Sequence, residues 1–179
     1  MLITRACFGA AVTPYRLRAA LGGSALANFV FEAIGDVLVV VQNAETPWPH
    51  EWEAYMEACR QLDVRLGGNF LQASALIFTD GGAPNSQQRN QIARLLNGRT
   101  CDCGVVTDIF KVRGQLAVLS LFNPMLKVFT SKEWRKAATF AHLSEGQHLE
   151  YLDIALKLAP AVGGVQVLNS INAAMGAGR

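Results

Sequence analysis

Two stretches with the same layout constrain this chain more than anything else in it. Residues 75–89 read ALIFTDGGAPNSQQR, and residues 103–113 read CGVVTDIFKVR. Each opens as a short apolar run and closes on Thr-Asp, at Thr79-Asp80 and at Thr107-Asp108. Each then leads into the start of a helix. Apolar runs without polar alternation suit strands buried on both faces, as parallel sheets require. The repetition predicts parallel strands that deliver polar groups to one edge of one sheet.

The other elements fall around that pair. Phe29 to Ile34 and Val37 to Val41 flank Gly35-Asp36, which predicts two strands joined by a tight turn. Pro47-Trp48-Pro49 introduces a helix from about His50. Along it Trp52, Tyr55, Met56, Cys59 and Leu62 form a stripe facing the sheet, while Glu51, Glu53, Glu57 and Arg60 are expected in water. Asn85 and Gln88 make a capping box for the next helix, which Asn97-Gly98 stops. A helix near Ile109 to Phe122 should end at Asn123-Pro124. A short strand, Leu126 to Phe129, and a helix opened by a Thr130–Glu133 capping box complete an α/β core over residues 28–143.

Segments on either side read as additions to that core. Residues 1–27 form a basic arm: residues 1–31 hold no acid and carry Arg5, Arg16 and Arg18. Thr13-Pro14 is a plausible start for a short helix, YRLRAAL. The arm reads either as a loosely attached leader or as an amphipathic element for a partner or, weakly, an anionic membrane surface. Residues 144–179 read as a helical extension opened by a Ser144–Gln147 capping box. Its Leu149, Leu152 and Leu156 mark a partner-binding face, and Gly163-Gly164 a hinge. So apolar a segment should pack on the core, on a second copy or on another protein.

Composition narrows the function classes. With 179 residues, 51% hydrophobic and 17% charged, the chain can bury a sizeable core. A net charge of +2 does not point to nucleic acid. No apolar run reaches the ~20 residues of a membrane span. Arg16 and Arg18 interrupt the place where a signal peptide needs its apolar core, so a cytoplasmic location is expected. Cys101-x-Cys103 is one residue tighter than the usual metal or redox spacing. Together with Cys7 and Cys59 it is read as buried or incidental thiols in a reducing cytosol. No cofactor and no metal is expected.

Over residues 28–143, the element order and the strings TDGGAPNSQQR, VVTDIFKVRG, SLFNPMLKVF and TSKEWRKAATF resemble the STAS, or SpoIIAA-like, domains. Small SpoIIAA-like proteins of this kind are common in myxobacteria. The resemblance implies a mixed, largely parallel sheet of about five strands with helices mainly packed on one face. It also implies a role in protein–protein switching. In antagonist members a Ser or Thr at the start of the helix after the third strand is phosphorylated by a partner kinase. That place corresponds most nearly to Ser86, with TDGGAPNS standing where the family carries Asp-Ser-Ser/Thr-Gly. Ser86 reads equally as an ordinary first-turn helix residue.

The site candidates cluster at the shared strand edge. Gly81 and Gly82 are expected to leave backbone N–H groups unshielded beside the helix capped by Asn85, where an anion could sit. Asp80, Asp108 and Arg113 would be neighbours of that loop. Two readings of the acids stand: a carboxylate pair suited to metal or phosphate chemistry, or two structural caps. No catalytic residue is assigned. The leading expectation is a non-enzymatic interaction or scaffold protein whose extensions engage a partner protein, a kinase among them, or a second copy. A phosphate- or small-ligand-binding regulator is the alternative, and an Asp-based metal-dependent hydrolase stands behind both.

Overall fold

The computed structural model describes residues 16–18, 26–114, 116 and 125–177. Six strands form one sheet in sequential order: β1 (Arg16–Arg18), β2 (Phe29–Ile34), β3 (Val37–Gln42), β4 (Ser74–Thr79), β5 (Asp102–Val106) and β6 (Leu126–Phe129). The pairs β1–β2 and β2–β3 are antiparallel, and β3 through β6 run parallel. The mixed, largely parallel α/β sheet read from the sequence is present. Its sixth strand comes from the arm, where a helix was expected. Arg16–Arg18 instead pairs with the outer edge of β2, since an open strand edge offers hydrogen bonds that so short an isolated helix cannot match.

Helices with fully described bounds cover the sheet: α1 (Pro49–Arg65), α2 (Ser86–Leu96), α3 (Trp134–Phe140), α4 (His148–Leu158) and α5 (Gln166–Gly176). They divide between both faces, more evenly than helices mainly packed on one face would. Phe29, Phe31, Leu38, Val40 and Ala75 point to α1 and α2. Val30, Val39, Val41, Leu76, Phe78 and Val106 point the other way, to α3, α4 and α5. Strand alternation explains the division: successive side chains leave opposite faces, and both sets are apolar. A sheet apolar on both sides needs helices on both sides.

Residues 148–176 therefore share one core with the sheet rather than standing apart from it. Tyr151, Leu152, Ile154, Ala155, Leu158, Val167, Leu168 and Ile171 are all buried there. Of the alternatives open in the sequence, packing on the core is the one realised. Leu152, at 1% exposure, is a core residue, so its assignment to a partner-binding face is corrected. Leu156 is partly buried against the same core, and Leu149 remains exposed.

The predicted caps form. Asn85 and Gln88 bond reciprocally, Gln88 N–H to Asn85 Oδ1 at 2.9 Å and Asn85 N–H to Gln88 Oε1 at 2.8 Å. The Thr130–Glu133 and Ser144–Gln147 boxes are also in place. One acid departs from expectation. Glu51 is buried rather than solvated, because its carboxylate accepts from Trp48 N–H and Asn28 N–H and so closes the start of α1. Residues 110–114 are helical as expected, and 117–124 lie outside the described residues. Among the described residues no helix is long and apolar enough to cross a membrane.

Candidate functional site

The parallel strands bring their carboxyl ends to one rim, as the Thr-Asp repeat predicts. What the polar groups do there is structural. Thr79 Oγ1 accepts the N–H of Gly81 at 2.9 Å, and Thr107 Oγ1 accepts that of Ile109 at 3.3 Å. Each buried threonine thus folds its own loop. Each aspartate then reaches a helical segment on the α3–α5 side of the sheet. Asp80 accepts from the N–H of Gln166 at 2.7 Å and of Val167 at 3.4 Å. Asp108 accepts from the N–H of Ser131 at 2.8 Å.

Helix α5 lacks a side-chain cap of its own, whereas the turn before α3 already has the Thr130–Glu133 box. Val165, the N-cap of α5, has no side-chain acceptor, so Asp80 supplies it from the strand edge. Asp108 adds an acceptor for Ser131 N–H beside the Thr130–Glu133 box, in the turn that leads into α3. A carboxylate at a helix start also meets the positive end of the helix dipole. Of the two readings of the acids, caps is the one this geometry supports. The two carboxylates serve separate segments rather than converging on one point.

The glycine turn is likewise occupied. The N–H of Gly81 goes to Thr79, and that of Gly82 donates to Asn43 O at 2.9 Å. The expectation that these amides stay free for an anion is corrected. The glycines answer instead to crowding. A Cβ on Gly82 would lie 2.2 Å from Glu45 O and 2.5 Å from Asn43 O, because the loop after β3 presses on it. Gly81 sits at φ +113°, with Val112 Cγ2 2.7 Å from where its Cβ would be. Asn85 is spent on the α2 cap. Arg113 is exposed, and among the described residues no ion pair links it to Asp108. Ser86 is the exposed first residue of α2.

Elsewhere no catalytic constellation emerges among the described residues. His148 is buried, 3.2 Å from Leu143 O, against the edge of Trp134. His142 pairs with Asp102 at 2.7 Å, while the other oxygen of Asp102, Oδ1, is buried without a partner. His50 is exposed on α1. No group of three or more His, Cys, Asp or Glu among the described residues is placed to hold a metal ion. No family model, curated protein or solved structure matches the chain.

Two features of the rim were missed in the sequence. Trp48, in the loop after β3, is 53% exposed, and Phe110, in the helical turn after β5, is 86% exposed. Trp48 falls between two prolines, and Phe110 reads in the sequence as one of the apolar residues of its helix, so its exposure carried no signal there. In strand order they flank the loop that carries Ser86.

Proposed function

We propose that this protein is a non-enzymatic, cytoplasmic interaction module with a STAS-like core, and that a partner protein docks on the carboxyl-end rim. The observation that carries the reading is Phe110, a large aromatic left almost wholly in water beside loops whose polar groups are already satisfied. Exposed aromatics with neighbouring cations are the composition of interface anchors, and Lys111 and Arg113 are exposed in the same turn. Trp48 supplies a second aromatic on the same rim. The free thiols of Cys59, Cys101 and Cys103 suit a reducing compartment.

Ser86 fits the switching role that the resemblance implies. A phosphate there would meet the N-terminal dipole of α2 and place negative charge on the docking surface. Leu149 is what remains of the C-terminal face first read as partner-binding, and the rim takes its place as the docking surface.

Affinity capture from native extract, with quantitative mass spectrometry, tests the proposal by comparing wild type with Phe110→Asp. So exposed a substitution should move stability by no more than about 0.5 kcal/mol. A discrete partner should be retained by the wild type and fall at least about tenfold in the variant, a loss of roughly 1.4 kcal/mol. Equal retention by both proteins, or no specific partner and an unchanged monomeric mass, would overturn it.

A further inference from the structure

Cys101 immediately precedes β5 and Cys103 lies within it. Two residues apart on an extended chain, their side chains share a face. The two sulfurs are 3.6 Å apart, and Cys103 Sγ is also 3.6 Å from Cys101 O. Both residues are half-buried, so they are reachable from solvent without unfolding. Extended residues at this spacing have Cα atoms roughly 6.6 Å apart, at the upper end of the disulfide range, so the bond closes by drawing Cys101, which lies just outside the strand, in toward Cys103.

A cavity of about 410 Å³ opens in front of them, between the sheet and the helices α1 and α2. Tyr55 and the buried Cys59 line its inner wall. Arg99 lines its lip and is held by Asp63 at 2.6 and 3.1 Å, so the opening is braced. On the opposite face of β5, Gly104 lies tight against the backbone of Ala137.

The geometry points to a reversible modification site: Cys101 and Cys103 close into a disulfide when a peroxide enters this cavity, and a dithiol reductant reopens it. The Cys101 thiolate attacks one oxygen of hydrogen peroxide. The O–O bond breaks, the departing hydroxide takes up the thiol's proton as water, and Cys101 is left as a sulfenic acid. Cys103 sulfur then attacks Cys101 sulfur and the S–O bond breaks. The hydroxide leaves as a second water with the Cys103 proton. Two thiols and one peroxide become one disulfide and two waters, with two electrons passed from sulfur to oxygen.

The order of attack follows from the pair itself. The hydrogen bond from Cys103 holds the Cys101 thiol below its ordinary pKa, against its partial burial. The same contact, and then burial, pushes Cys103 well up. Cys101 is the nucleophile toward peroxide and Cys103 the resolving thiol. Cys59, pushed by burial up to about 12, stays a thiol and takes no part.

The test treats the folded, reduced, full-length chain with hydrogen peroxide and maps its cysteines without reduction. The wild-type mass should fall by two hydrogens, with the new bond between Cys101 and Cys103 and both thiols lost to alkylation. Dithiothreitol should restore them. Cys7→Ser and Cys59→Ala should behave like the wild type. Cys103→Ser should instead gain one oxygen on Cys101, trapped by dimedone. A bond from Cys59 or Cys7, or two freely alkylated thiols after peroxide treatment, would overturn the proposal. The wild-type map decides this even if a variant folds poorly.

Discussion

Gly82 has no room for a side chain. The backbone oxygens of Asn43 and Glu45 occupy the space its Cβ would take, and backbone cannot turn aside as a long side chain can. Gly82→Ala should lose about 1–3 kcal/mol in urea unfolding, the usual range for overpacking. Its twin, Gly81, needs its positive φ as well. That the loop required glycine was legible in the sequence. That the reason was the neighbouring loop was not, because Glu45 and Gly82 meet only after β3 and β4 have paired. A second residue-scale prediction rests on Cys59, whose thiol burial pushes from its ordinary value near 9 to about 12. Between those two values the unfolded chain has released this proton while the native state keeps it. The native state then binds more protons, so stability falls as pH rises, by about 1.4 kcal/mol per unit. Tyr55 and Cys103 are also raised, and both steepen the fall. Urea unfolding at about pH 8 and pH 10 should show it, and Cys59→Ala should make the fall shallower, leaving the part due to Tyr55 and Cys103.

At the scale of elements, the caps were readable because they are local. A box such as Asn85–Gln88 needs only four consecutive residues, and all three predicted boxes formed. The destination of the C-terminal helices was not readable. An amphipathic face specifies that it must be covered, not by what, and the apolar strand faces accept helices from either side. Here α4 and α5 lie over Val39, Val41, Leu76 and Phe78. Removing residues 144–179 would therefore leave α3 as the only one of these three helices on that side of the sheet. Each large side chain returned to water costs about 1.5–3 kcal/mol, and several together exceed the 5–15 kcal/mol that holds a typical domain. The truncated chain should show no cooperative unfolding transition and should bind a hydrophobic dye in the absence of denaturant. A folded, cooperative truncation product would contradict this packing.

The whole molecule is a sheet clamped between two helical layers, with its strand-end polar groups spent on holding the layers in place. The Thr-Asp repeat marked the right edge of the sheet. Its meaning as a pair of clamps appeared only in three dimensions, since Asp80 meets a helix that starts 86 residues later. With those groups engaged, exposed Trp48 and Phe110 become the rim's most distinctive features. If the acids were functional, their burden would differ: residues kept for function are commonly a liability to stability, and replacing them stabilises. Urea unfolding of Asp80→Ala separates the two cases. Loss of a helix cap should lower stability by about 0.5–2 kcal/mol, with faster amide exchange at Gln166 and Val167. A variant as stable as the wild type, or more so, would contradict the structural role of the strand-end acids and return them to the list of functional groups.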